Sequence, residues 1–172
     1  MSVPYQRISR ATADDIILYD PAAERRAAAM KLEWDTYFEI ASQQILYMLE
    51  FGWWPQYCEK HTGAALFRTQ TSGHLVTAFD PDLLLTDSQT LKQLDVFKAV
   101  EVFYSTLVTD PSNVNEVDRE NYEFSRRRFD DAWKTAQQLS NFYDLNFDGY
   151  ISKIEENRTA DHQYFIGDRR YF

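Results

Sequence analysis

Leu91-Lys-Gln-Leu-Asp-Val-Phe-Lys-Ala-Val-Glu-Val-Phe-Tyr104 is the stretch that decides the fold class. Its apolar side chains, Leu91, Leu94, Phe97, Val100, Phe103 and Tyr104, recur in steps of three and four and are continued by Leu107. That spacing lines one face of a helix, whereas a strand would alternate at every second residue. Asp87-Ser88 stands where a helix is capped, so a helix is predicted over about 89–108.

Two further stripes flank it. Downstream, Tyr122, Phe129, Ala132, Trp133, Ala136 and Leu139 predict a helix over about 116–142, after a turn at 109–115 that contains Asp110-Pro111. Upstream, Asp20-Pro21 is a helix start, with aspartate as cap and proline in the first turn. Met30, Trp34, Tyr37, Phe38, Ala41, Ile45, Met48 and Leu49 then keep helical spacing, and Ala27-Ala28-Ala29 adds propensity. Gly52 is read as its end and Pro55 as the bar to continuation. Such a helix is about 45 Å long, at about 1.5 Å per residue.

The remainder is less periodic. Residues 52–63 read as irregular, with Trp53-Trp54 as a core plug. The runs 64–68 and 74–79 are β-favourable and are joined by Thr69-Gln-Thr-Ser-Gly73, so a small hairpin is expected. Residues 1–19 read as an N-terminal arm with a short helical turn after Thr12, 20–158 as the core domain, and 159–172 as a C-terminal arm. The expected architecture is mainly α: a bundle of three long helices with a small β-hairpin insertion and extended N- and C-terminal arms.

Composition narrows the function. With 172 residues the chain can bury a sizeable core. A net charge of −9 argues against a nucleic-acid-binding domain, which would present a basic face. The basic clusters Arg25-Arg26 and Arg126-Arg127-Arg128 sit among acidic residues and read as solvated faces or ion-pair partners, with contact to an acidic partner surface as the alternative. The lone Cys58 allows no internal disulfide, and neither a signal core nor an apolar run of membrane-spanning length is present, so synthesis in a reducing cytoplasm is expected. Aromatic residues reach 16%, which reads either as an interface, whose buried centre favours aromatics, or as an aromatic-rich core.

The sharpest motif is the twelve-residue run 144–155. Asp144, Asn146 and Asp148 hold its first, third and fifth positions, with Gly149 at the sharp turn. Tyr150 offers its carbonyl, Ile151 is the apolar anchor, Ser152 acts directly or through water, and Glu155 can bind with both oxygens. Hard oxygens in this order are the ligand set of an EF-hand-type calcium loop. A metal-free Asx turn is the competing reading. The loop is single and its following helix short, which suits a structural Ca²⁺ better than a sensor's switch.

No catalytic set assembles. Cys58 and His61 lack completing partners, His74 and His162 lie in other segments, and no carboxylate pair is flagged by an apolar setting. There is no phosphate-binding glycine loop and no nucleophile elbow, so no enzyme is expected. The tail is more telling. Tyr164, Phe165, Ile166, Tyr171 and Phe172, with Arg169 and Arg170, are poorly suited to open water and read as a docking segment, on a partner or on the chain's own core.

The helix 91–104, the run Tyr122-Glu-Phe-Ser-Arg-Arg-Arg-Phe-Asp-Asp-Ala-Trp133 and the loop ending Asn-Phe-Asp-Gly149 together resemble the head–tail connector (adaptor, head completion) proteins of tailed bacteriophages. The resemblance covers about 20–158 as a pattern of organisation, in which the loop alone is a sharp motif and 52–87 has no counterpart. It implies a virion structural protein of the neck, self-associated into a ring, commonly a dodecamer. Such a ring joins the portal protein to the next neck or tail protein, with the C-terminal arm reaching the portal. An acidic ring is compatible with a channel that passes DNA without gripping it. The alternative is a single EF-hand-type calcium-binding regulatory or interaction protein. A sensor would be expected to carry a second loop and a methionine-rich groove, and only 3 Met are present.

Overall fold

The computed structural model describes residues 7–60, 78–110 and 115–144. The chain is mainly helical, and its helices are organised around α5 (Gln89–Thr109). α3 (Trp34–Met48) and α6 (Glu116–Leu139) both pack along α5. α1 (Ala13–Tyr19) and α2 (Pro21–Ala29) pair with each other, and α1 also reaches α5. The apolar stripe read from the sequence therefore belongs to the helix with the most neighbours. Leu91, Leu94, Val96, Ala99, Val100, Phe103 and Tyr104 of α5 are all buried.

Two apolar clusters meet along α5. One gathers Ile16, Ala23, Ala27, Trp34, Phe38 and Ala41 around Val100, Phe103 and Leu107. The other gathers Ile45, Leu49, Trp53, Trp54 and Tyr57 around Leu91, Leu94, Phe129, Phe142 and Tyr143. Phe97 touches both. Burying one such side chain is worth about 1.5–3 kcal/mol, so truncating Phe38 or Phe103 costs about 3–5 kcal/mol once the cavity is included.

The expected fold class needs correction. Among the described residues there is no strand, and the extended pairing present is a single antiparallel bridge between Leu84 and Tyr143. Residues 78 and 79, the end of the expected hairpin, form a bend and an irregular step. The rest of that hairpin, 64–68 and 74–77, lies outside the described residues, as do 159–172. The extended N-terminal arm is also corrected from residue 7 onward. Ile8, Ala11 and Ile16 are fully buried, and Arg10 N–H donates to Thr86 O at 3.2 Å.

The expected first long helix is broken. Asp20 caps α2 as read, its Oδ1 accepting from Ala23 N–H at 3.0 Å. The helix then stops at Ala29 because Lys31 adopts φ 56. Leu32 N–H turns back to Ala27 O at 3.0 Å and Lys31 N–H to Ala28 O at 3.1 Å. This pair of bonds satisfies the last carbonyls and turns the chain into α3. Its sequence signal is normally glycine at the left-handed residue, and here that residue is lysine.

Gly52 and Pro55 end nothing. A π turn, Leu49–Trp53, leads into α4 (Trp54–Lys60), and Trp54 N–H bonds to Leu49 O. A proline inside an α-helix clashes with the carbonyl four residues back, and the wider π turn just ahead of Pro55 opens that space. A Cβ on Gly52 would meet nothing within 4 Å. The turn also rotates Trp53 and Trp54 inward, which makes them the core plug expected.

Candidate functional site: the joint that leads to Asp144

α6 ends with the last residue of its stripe, Leu139, short of the predicted end at about 142. Ser140 takes φ 48 and donates its N–H to Ala136 O at 2.9 Å, which closes the last turn. Residues 140–143 therefore separate the helix from Asp144, where a helix running directly into the loop was expected.

That short segment is fixed at many points. Thr90 Oγ1 donates to Asn141 Oδ1 at 2.8 Å. Leu85 N–H donates to Phe142 O and Asp144 N–H to Leu83 O, each at 2.9 Å, on either side of the Leu84–Tyr143 bridge. Asp80 N–H donates to the Tyr143 hydroxyl at 3.0 Å. The Phe142 and Tyr143 rings are wholly enclosed. Tyr143 lies 5.4 Å from both Trp53 and Trp54, centroid to centroid, and stacks on Phe79 at 5.6 Å. Aromatic pairs of this kind add about 0.5–1.5 kcal/mol each beyond area burial. Burial pushes the Tyr143 phenol well above its ordinary pKa, so it stays a neutral hydroxyl.

Asp144 leaves this joint as the first residue of the predicted loop, buried and with its backbone pinned. Asn146, Asp148, Tyr150, Ser152 and Glu155 lie outside the described residues, and so do the tail residues Tyr164, Phe165, Ile166, Arg169, Arg170, Tyr171 and Phe172. The donor set suits Ca²⁺: carboxylates, an amide and a carbonyl are hard oxygens, and the first of them is offered by a rigid backbone. Among the described residues no group of three or more His, Cys, Asp or Glu gathers. Beside the joint, at the start of α5, is an open cleft of about 490 Å³ lined by residues 84–89 and Asn141.

Elsewhere a carboxylate that the sequence reading did not single out is buried. Asp95 is fully buried between α3 and α5. Its oxygens accept from Ser9 Oγ at 2.6 Å and Ser42 Oγ at 2.9 Å, and Arg7 lies 3.7 Å away. Burial raises its pKa, with the two hydroxyls and Arg7 pulling the other way. The signal was present in the sequence, since Asp95 interrupts the apolar run Leu94-Asp-Val-Phe97. What could not be read was which distant groups would meet it. Asp118, also buried, pairs with Arg26 at 2.9 Å, and Arg128 lies 3.7 Å from Asp20 and over the Phe97 ring. These pairs clamp α1 and α2 to α6. Cys58 is half-buried against the aromatic cluster and burial pushes its thiol up, while His61 lies outside the described residues.

No helix among the described residues is long and apolar enough to cross a membrane. Comparison with protein-family models, with curated proteins and with solved structures gives no match.

Proposed function

We propose that this chain is a virion structural protein, a head-to-tail connector that assembles into a ring and joins a portal to the next neck or tail protein. The observation that carries the reading is where the apolar surface remains. Beside the two buried clusters, Ile17 and Leu18 on α1 and Val117 and Phe124 on α6 stand exposed. Large apolar side chains left in water on fixed helices suit contacts between subunits. The aromatic tail 164–172 supplies a docking segment for the portal, and the loop 144–155 a structural Ca²⁺ site. In this reading the ion has a mechanical role. It fixes the direction in which the chain leaves the joint at Tyr143, and the acidic surface lets DNA pass without being held.

The test is the oligomeric state of the purified chain by light scattering and negative-stain imaging, with calcium and with chelator, alone and with a portal ring. Closed rings, or rings templated by the portal, are expected. A monomer in every condition that binds calcium and never joins a portal would replace the connector with a calcium-binding regulatory protein.

A further inference from the structure

One face is left over. Ile40, Tyr47 and Phe51 follow one another at seven and four residues along α3 and into the π turn, so they share a side. Tyr47 is 65% exposed and Phe51 61%, and their rings lie 4.6 Å apart, an aromatic pair with water on its outer side. Every described charge on this helix and its approach is negative: Glu33, Asp35, Glu39 and Glu50 are all exposed. No lysine or arginine occurs between Lys31 and Lys60. An apolar stripe bordered by one sign of charge selects an apolar segment of the opposite sign.

The chain carries such a segment. Residues 164–172 hold Tyr164, Phe165, Ile166, Tyr171 and Phe172 around Arg169 and Arg170, with Asp168 as their one acidic residue. The face is also within reach. Phe51 lies two residues before Trp53, whose ring is 5.4 Å from that of Tyr143, and Asp144 follows directly. The twenty steps from Asp144 to Tyr164 span up to about 66 Å at about 3.3 Å per residue, far more than the gap requires. Tethering over such a length gives an effective concentration of about millimolar, so a weak contact is enough to hold the segment.

We propose that residues 164–172 dock on the Ile40–Tyr47–Phe51 face of their own chain, with Arg169 and Arg170 against Glu39 and Glu50. The surface stands independently of the connector reading. If that reading also holds, a tail occupied in this way is withheld from the portal until the portal displaces it, so free subunits do not capture portal or one another prematurely.

Hydrogen–deuterium exchange of the full chain tests this. Tail amides are expected to exchange several-fold more slowly than an unstructured peptide of the same sequence. That protection should fall to the unstructured rate in Glu39→Arg/Glu50→Arg and in Tyr47→Ser/Phe51→Ser, both of which change exposed positions and should leave the circular dichroism melt intact. Arg169→Glu/Arg170→Glu should do the same from the other side. Tail amides that exchange at the unstructured rate in the wild type overturn the proposal. So does protection that survives all three variants, because the tail then docks elsewhere. Protection lost on dilution overturns it in favour of a second copy as occupant.

Discussion

The indole N–H of Trp53, in the π turn, donates to the hydroxyl of Ser140, the left-handed residue that ends α6, at 3.2 Å. The Ser140 hydroxyl in turn donates its O–H to Gln137 O at 3.3 Å. The π turn and the end of α6, far apart in the chain, are thus joined through one hydroxyl, four residues before Asp144.

The left-handed residues Lys31 and Ser140 should therefore respond oppositely to glycine. Lys31 is exposed and its φ of 56 is strained, so Lys31→Gly is expected to stabilise the fold by about 0.5–1 kcal/mol. Ser140→Gly relieves the same strain but strands the buried Trp53 N–H, at a cost of about 1–3 kcal/mol, for a net loss. Urea denaturation midpoints give both signs, and a gain in both variants would contradict the role given to the hydroxyl.

Asp95→Ala leaves the buried Ser9 and Ser42 hydroxyls, and the partly exposed Arg7, without their shared acceptor and is expected to cost about 2–4 kcal/mol. The pH dependence has the opposite sign from that of an ordinary ion-paired aspartate. Burial raises this carboxyl above its ordinary 3.8, so as pH rises the unfolded chain gives up the proton first. Stability falls between that value and the higher native one, and mild acidification restores it. Asp95→Asn should flatten this slope in denaturation midpoints taken at mildly acidic and at neutral pH. An unchanged slope would place the proton elsewhere.

Alkali acts through the tyrosines. Burial, helped by Asp20 and Asp118 and opposed by Arg26, pushes Tyr104 up to about 12. Tyr143 is raised further, again chiefly by burial. Unfolded tyrosines ionise near about 10, so stability should fall as pH climbs above that value. Tyr104→Phe should reduce the fall, which circular dichroism across the alkaline range would show. Tyr143→Phe deprives Asp80 N–H of its acceptor and should cost about 1–2 kcal/mol at neutral pH as well.

Calcium should act locally. Asp144→Asn keeps the backbone bond to Leu83 O and removes one ligand charge. It is expected to weaken calcium binding at least tenfold, about 1.4 kcal/mol, with little change in the melting temperature of the metal-free chain. Titration calorimetry reads the first and a chelated melt the second. Equal heats in wild type and variant would remove the site.

What the sequence determined by itself was local and periodic. The stripe from Leu91 to Leu107 defined α5 nearly to its ends, and Asp20-Pro21 marked the start of α2, because capping and helical spacing are written in neighbouring residues. The order of oxygen-bearing side chains from Asp144 to Glu155 is likewise written in neighbouring residues, and it carries the expectation of a calcium loop. Tertiary structure decided what depends on distant partners. It decided that Lys31 turns left-handed where glycine would be the signal, and that a π turn carries the helix through Pro55. It decided that Asp95 is met by Ser9 and Ser42, and that Tyr143 is bolted to Leu84 and Asp80. A break, a buried charge or an anchored loop is favourable only when packing elsewhere offsets its cost, and that compensation comes from residues the local pattern does not contain.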